Sequence, residues 1–151
     1  MTADDQVRPQ IVRPRQALEL TEGECWQLLK NTSLGRVVFT YHAMPAIRPV
    51  NHLVDGQTII FRSHLGAAIV SRAGAGAGDG TVVCYEADDL DATRHTGWSV
   101  IVTGLARLVR EPAAVERYER ALEPWIAGQM DHVISIEPRL ISGIRLVGWC
   151  S

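Results

Sequence analysis

A chain of 151 residues, 46% hydrophobic and 21% charged, is long enough to bury one sizeable core, and one globular domain is expected. Its 15 Lys and Arg against 17 Asp and Glu leave a net charge of −2, which gives no overall electrostatic pull toward nucleic acid or an anionic membrane. Cys25, Cys84 and Cys150 lie far apart with no C-x-x-C pair, so neither a zinc site nor a disulfide framework is expected, and the thiols read as idle in a reducing compartment. The first stretch, "MTADDQVRPQIVRPRQ", has no apolar core of the kind a secretory signal needs, and no apolar run approaches the length that crosses a bilayer. The expectation is a cytoplasmic protein in which residues 1–16 form a loose arm or an extension lying on a partner subunit, ahead of one domain over residues 17–151.

Thr21 and Glu24 have the capping-box spacing, and Cys25, Leu28 and Leu29 then share a face, which predicts a helix from about Glu22 to Asn31. "LGRVVFTYH" reads as a strand, Met44-Pro45 as a turn, "AIRPVNHLV" as a second strand, and Asp55-Gly56 as a hairpin turn into "QTIIFRS". From His64 to about Arg72 helix formers follow a polar start, and "AGAGAGDG" beyond them is a flexible loop. "TVVCYE" is a fourth strand, whereas "ADDLDATRHTG" is too polar and turn-rich for a core element. In "WSVIVTGLARLVR" alternation sends Trp98, Val100, Val102, Ala106 and Leu108 one way, and Ser99, Ile101, Thr103, Leu105 and Arg107 the other. Both faces are largely apolar, as in a barrel wall covered outside by a helix or a second subunit.

Pro112 opens a predicted helix with Val115, Tyr118 and Leu122 at helical spacing and Glu116 and Arg120 as an i,i+4 pair, and Pro124 ends or kinks it. Two last strands are predicted in "DHVISIEP" and "RLISGIRLVG". The sum is a mainly β fold: an antiparallel, Greek-key-like split β-barrel with short flanking helices.

Arg48, Asn51 and Arg62 place polar groups on a hairpin that should fill a core. Arg48 and Asn51 are three apart, so alternation sends them to opposite faces unless the backbone shifts register, and Pro49 invites that shift. Two readings stand on spacing alone. In one, the arginines are solvated or salt-bridged and Asn51 prepares the turn. In the other, Arg48, Asn51 and unpaired backbone donors face a heteroaromatic ring with carbonyl and imide edges. Arg62 and Ser63 then hold its phosphorylated tail, aided by the helix starting near His64.

The succession "LGRVVFTYHAMPAIRPVNHLVDGQTIIFRS", then "VVCYEADDLDATRHTGWSVIVTGLARLV", resembles the pyridoxamine 5′-phosphate oxidase-like superfamily of FMN-binding split barrels. It is similar above all to a small actinobacterial-type branch in which an "RPVN" strand and a "GWSV" strand recur. The resemblance spans about residues 17 to 148. It implies that Arg48, Pro49, Val50 and Asn51 run beside a flavin ring and that Arg62 and Ser63 contact the phosphate. It also implies that Ser99 takes the place of a glutamine that reaches the flavin, that Trp98 lines the cleft, and that two chains share two flavins as a homodimer. The family's phosphate-binding segment carries a lysine or an arginine-lysine pair where this chain has Ala67 and Ala68, leaving His64 and Arg72 as the nearest replacement donors. A C-terminal segment that grips pyridoxal substrates has no counterpart after "GIRLVGWCS".

Five histidines, His42, His52, His64, His95 and His132, show no metal-pair spacing, and "EADDLDATR" lacks the glycine and terminal glutamate of a calcium loop. His64 is the best functional histidine, beside the phosphate or above the ring. The expected function is that of an FMN-dependent oxidoreductase acting on a small-molecule substrate or electron acceptor, with no nucleic acid or membrane as partner. The alternatives are a deazaflavin-dependent reductase and a non-catalytic carrier or sensor of haem or flavin. No general acid or base stands out.

Overall fold

The computed structural model describes residues 14–64, 66–70, 80–123 and 132–148. Its elements in chain order are β1 (Gln16–Glu19), α1 (Glu22–Asn31), β2 (Leu34–Tyr41), β3 (Met44–Asp55), β4 (Thr58–Ser63), α2 (Gly66–Val70), β5 (Thr81–Asp91), β6 (Thr96–Leu108), α3 (Pro112–Ala121) and β7 (His132–Val147). The order across the sheet is β1-β7-β4-β3-β2-β5-β6, and β6 pairs back onto β7 to close a barrel with β1 added at the end of β7. Strands β2, β3 and β4 are consecutive neighbours and β5 returns beside β2, which is the Greek-key order.

Each predicted element has a counterpart, with shifts that local physics explains. The capping box is present: Thr21 N–H donates to Glu24 Oε2 at 2.7 Å and Glu24 N–H to Thr21 Oγ1 at 3.3 Å. The turn after β2 is His42-Ala43 rather than Met44-Pro45. Both residues have positive φ, 49° and 62°, the pattern of a type I′ turn, and Met44 and Pro45 are already paired with Tyr41 and Thr40. The next hairpin turns at Gly56-Gln57, one residue beyond the predicted pair. Only Gly56 has positive φ there, 63°, which points to type II′.

Strand β5 runs through "ADDLD" to Asp91, against the expectation of a connection, because its ladder to β6 continues to Asp91↔Thr96. Cross-strand pairing overrides the low strand propensity of those aspartates. The two predicted last strands are one strand, β7, with a bulge: Thr103 pairs with Leu140 and Gly104 with Pro138, skipping Arg139. A Cβ at Gly104 would collide with Glu137 O, so glycine lets the ladders close around this bulge. Of the helix expected over His64–Arg72 the described part is Gly66–Val70, preceded by a turn at His64, and Arg72, most of the glycine-rich loop, Pro124 and residues 1–13 lie outside the described residues.

Inside the barrel, Val37, Phe61, Tyr85, Val100, Val102 and Ile136 are fully buried, and α1 lays Cys25, Trp26 and Leu29 onto this core. The alternation expected of β6 holds, with Val100, Val102 and Ala106 buried and Ile101 exposed. A second apolar cluster lies outside, where Val115, Tyr118 and Leu122 bring α3 onto Ile60 and Val133.

Candidate functional site

The ladder from Leu34↔Asn51 to Tyr41↔Met44 is unbroken, so the register shift expected at Pro49 does not occur and Arg48 and Asn51 stand on opposite faces of β3. The prolines fit without a bulge for a directional reason. His52 N–H donates toward β2, to Ser33 O at 2.8 Å, and by alternation the backbone nitrogens of Pro45, Ile47, Pro49 and Asn51 turn to the other edge. Strand β4 pairs with β3 only from His52 onward, so among the described residues Met44–Asn51 has no partner strand on that edge. Prolines there interrupt no ladder bond, and they bar a foreign strand from adding to the edge.

Arg48 pairs across with the buried Val37, so it starts on the barrel side, yet it is exposed and its Nη1 donates to Ile47 O at 2.7 Å. Val50 is half-buried on the same face and Pro49 is exposed on the other. Asn51 Nδ2 donates to Glu123 O at 2.9 Å, and Arg62 Nη1 donates to Leu122 O at 3.1 Å and more weakly to Glu119 O at 3.5 Å. Both residues read as cofactor contacts are therefore bonded to the last carbonyls of α3 and the residues just past it. Ser63, buried and opposite His132, points to the other face of β4 from Arg62, and His64 is exposed in the turn beyond.

Trp98 and Ser99 lie across the barrel on β6, and consecutive positions put them on opposite faces: Trp98 packs against the core while Ser99 looks outward. Ser99 lines a cleft of about 410 Å³ with Glu19, Leu20, Ile101, Ile141, Ser142, Gly143 and Ile144. None of the other predicted site residues lines that cleft. Arg62 is opposite Val133 and Ser99 opposite Ile144, so at about 3.3 Å per residue β7 carries them about 36 Å apart along its contour. One chain thus presents the predicted residues on two separate walls.

Two polar groupings were not predicted as sites. Inside the barrel, His52 Nε2 meets Leu29 O at 3.0 Å, and Tyr85 Oη is hydrogen-bonded to His52 Nδ1. A carbonyl only accepts, so Nε2 carries the proton and donates, and Nδ1 accepts from the Tyr85 hydroxyl. Burial lowers the His52 pKa and pushes that of Tyr85 far up, so both are neutral at physiological pH. Gly35 makes room for this pair, since a Cβ there would collide with the Tyr85 ring and hydroxyl. On the outer wall, Arg36 Nη1 bridges Glu86 at 3.0 Å and Asp88 at 3.4 Å. Burial, and then the neighbouring Asp88, raise the Glu86 pKa against the pull of Arg36.

The family model described as pyridoxamine 5′-phosphate oxidase matches residues 21–145. The chain belongs to this family. The uncharacterized protein Rv0080 of Mycobacterium tuberculosis is 51% identical over 133 residues, 88% of each chain. Among solved structures, the FAD binding protein from Mycobacterium smegmatis is 35% identical with a TM-score of 0.61, over 86% of this chain and 98% of that one. A candidate pyridoxamine 5′-phosphate oxidase from Corynebacterium glutamicum is 29% identical with a TM-score of 0.71, again over 86% and 98%. The family's split barrel is the architecture described above, and no described helix is long and apolar enough to cross a membrane.

Proposed function

We propose that this member of the pyridoxamine 5′-phosphate oxidase family binds a flavin, FMN in the first instance, at a site completed by two copies of the chain, and serves as an oxidoreductase for a small acceptor. The observation that carries the reading is the division of donors between two walls. Arg48, Asn51, Arg62 and Ser63 belong to β3 and β4, and Trp98 and Ser99 to β6; from Arg62 to Ser99 the contour along β7 is about 36 Å, and in this reading the β6 contact comes from the second chain. A second protomer brings its β6 wall to the first protomer's β3–β4 wall. The exposed Val82, Ile101, Leu140 and Ile144 on the outer face of β5, β6 and β7 supply an apolar surface for that contact. The likeness to a FAD binding protein at 35% identity supports a flavin as the ligand.

The donor set has the chemistry a flavin asks for. The guanidinium of Arg62 suits a phosphate, and Arg48 or the amide of Asn51, on opposite faces of β3, suits a ring carbonyl. A bound flavin would supply hydride and single-electron transfer, while the chain orients it. Where the family's phosphate-binding segment carries lysine this chain has Ala67 and Ala68, and its only lysine is Lys30, in the last turn of α1. That scarcity favours a second reading, a deazaflavin, and makes a carrier or sensor of haem or flavin the outcome if no redox activity accompanies binding.

The test is an absorbance spectrum of the purified protein, then titrations with FMN, FAD and a deazaflavin alongside a sedimentation measurement of the oligomer. Micromolar FMN binding by a dimer, weakened about ten- to a hundredfold in Arg62→Ala, supports the reading. Binding of the deazaflavin alone moves the assignment to the second reading, and binding of neither by a folded dimer refutes both.

A further inference from the structure

Arg62 and Asn51 converge on the C-terminal end of α3, which is the negative end of a helix. We propose that this end of α3 is an internal competitor for the anionic ligand, so that ligand binding and the docking of the last turn of α3 oppose each other; the inference rests on the flavin reading of the site. Three carbonyls, of Glu119, Leu122 and Glu123, take donors from the two side chains, at 3.5, 3.1 and 2.9 Å. Aligned peptide dipoles leave about half a negative charge at a helix C-terminus, which attracts a guanidinium and repels a phosphate brought to the same place. A phosphate at Arg62 therefore has to displace these carbonyls or bind beside like charge. By linkage, whatever loosens α3 strengthens the anion, and the anion loosens α3.

Helix α3 has a second anchor that leaves Arg62 and Asn51 untouched. Tyr118 Oη donates to Asp55 Oδ2 at 2.5 Å, and Arg117 lies 3.7 Å from the same carboxylate. Tyr118→Phe weakens the docking of α3 and keeps its apolar contact with Ile60 and Val133.

The experiment follows FMN binding by quenching of flavin fluorescence, and α3 by amide hydrogen exchange at Tyr118 and Leu122, in the full chain and in Y118F. The expected result is faster exchange at these amides when FMN binds, and FMN binding tighter in Y118F by up to about tenfold, the scale of one net hydrogen bond. Slower exchange on binding, or weaker binding by Y118F, overturns the proposal and makes α3 a support for Arg62. Exchange accelerated by Asn51→Ala without ligand, while FMN fails to bind at all, overturns the flavin reading and the competition with it, and leaves only a structural clamp.

Discussion

Replacing Tyr85 by phenylalanine removes one oxygen from the middle of the barrel and leaves every carbon in place. His52 Nδ1 then loses its donor in a site where Tyr85 is fully buried and His52 is 4% exposed. Leaving a buried acceptor unmatched costs about 1 to 3 kcal/mol, which at about 2 to 4 °C per kcal/mol for a chain of this size lowers Tm by about 2 to 12 °C. Urea unfolding of wild type, Tyr85→Phe, His52→Gln and the double variant at pH 8 forms a cycle in which the two residues couple by at least about 0.5 kcal/mol. The pH axis gives an independent reading. The folded pKa of His52 lies below its ordinary 6.5 because burial disfavours the imidazolium. Below pH 6.5 the unfolded chain gains a proton here that the folded chain does not, so stability falls on acidification. The slope reaches up to about 1.4 kcal/mol per pH unit until the folded pKa is passed. His52→Gln lacks this component. Additive single effects, together with identical pH slopes for wild type and His52→Gln, would refute the buried hydrogen-bonded pair.

Gly35→Ala drives a methyl into the Tyr85 ring at the same place and is expected to destabilise by about 1 to 3 kcal/mol, read in the same urea titration. Gly97, at φ +128° with Asp89 O directly against its Cβ position, tolerates no side chain, and Gly97→Ala is expected to speed amide exchange where β5 meets β6. Ile101→Glu places a charge on the exposed apolar face of β6 and is expected to turn the dimer proposed above into monomers in sedimentation while the far-ultraviolet dichroism stays unchanged. Arg36→Gln removes the cation that holds the Glu86 pKa down, and the Glu86 carboxyl is expected to titrate higher still when followed by NMR.

Local chemistry makes much of this fold legible in the sequence. The capping box at Thr21 and Glu24 and the alternation along β6 depend on neighbours within a few residues, and both appear as read. Features set by distant pairing were not legible. Strand β1 exists because Gln16–Glu19 pairs with the far end of β7, and "ADDLD" is strand because β6 lies beside it. The inside position of His52 did have a signal, since it shares the phase of Val50 and Val54 on β3. Its partners did not, because Leu29 and Tyr85 come from other elements.

The same distinction governs the site. A motif names residues but says nothing about the face each takes or what already holds it. "RPVN" places Arg48 and Asn51 within three residues, yet an unbroken ladder sets them on opposite faces, and only the fold reveals that Asn51 and Arg62 share the carbonyls at the end of α3. "GWSV" places Trp98 beside Ser99, yet one enters the core and the other faces the outer cleft. Residues that a sequence lines up in one cofactor row are thereby distributed over two walls of a closed barrel. On the two-chain reading proposed above, a ligand that touches Arg62 of one barrel and Ser99 of another lies between them, and its affinity is then expected to depend on protein concentration as association does.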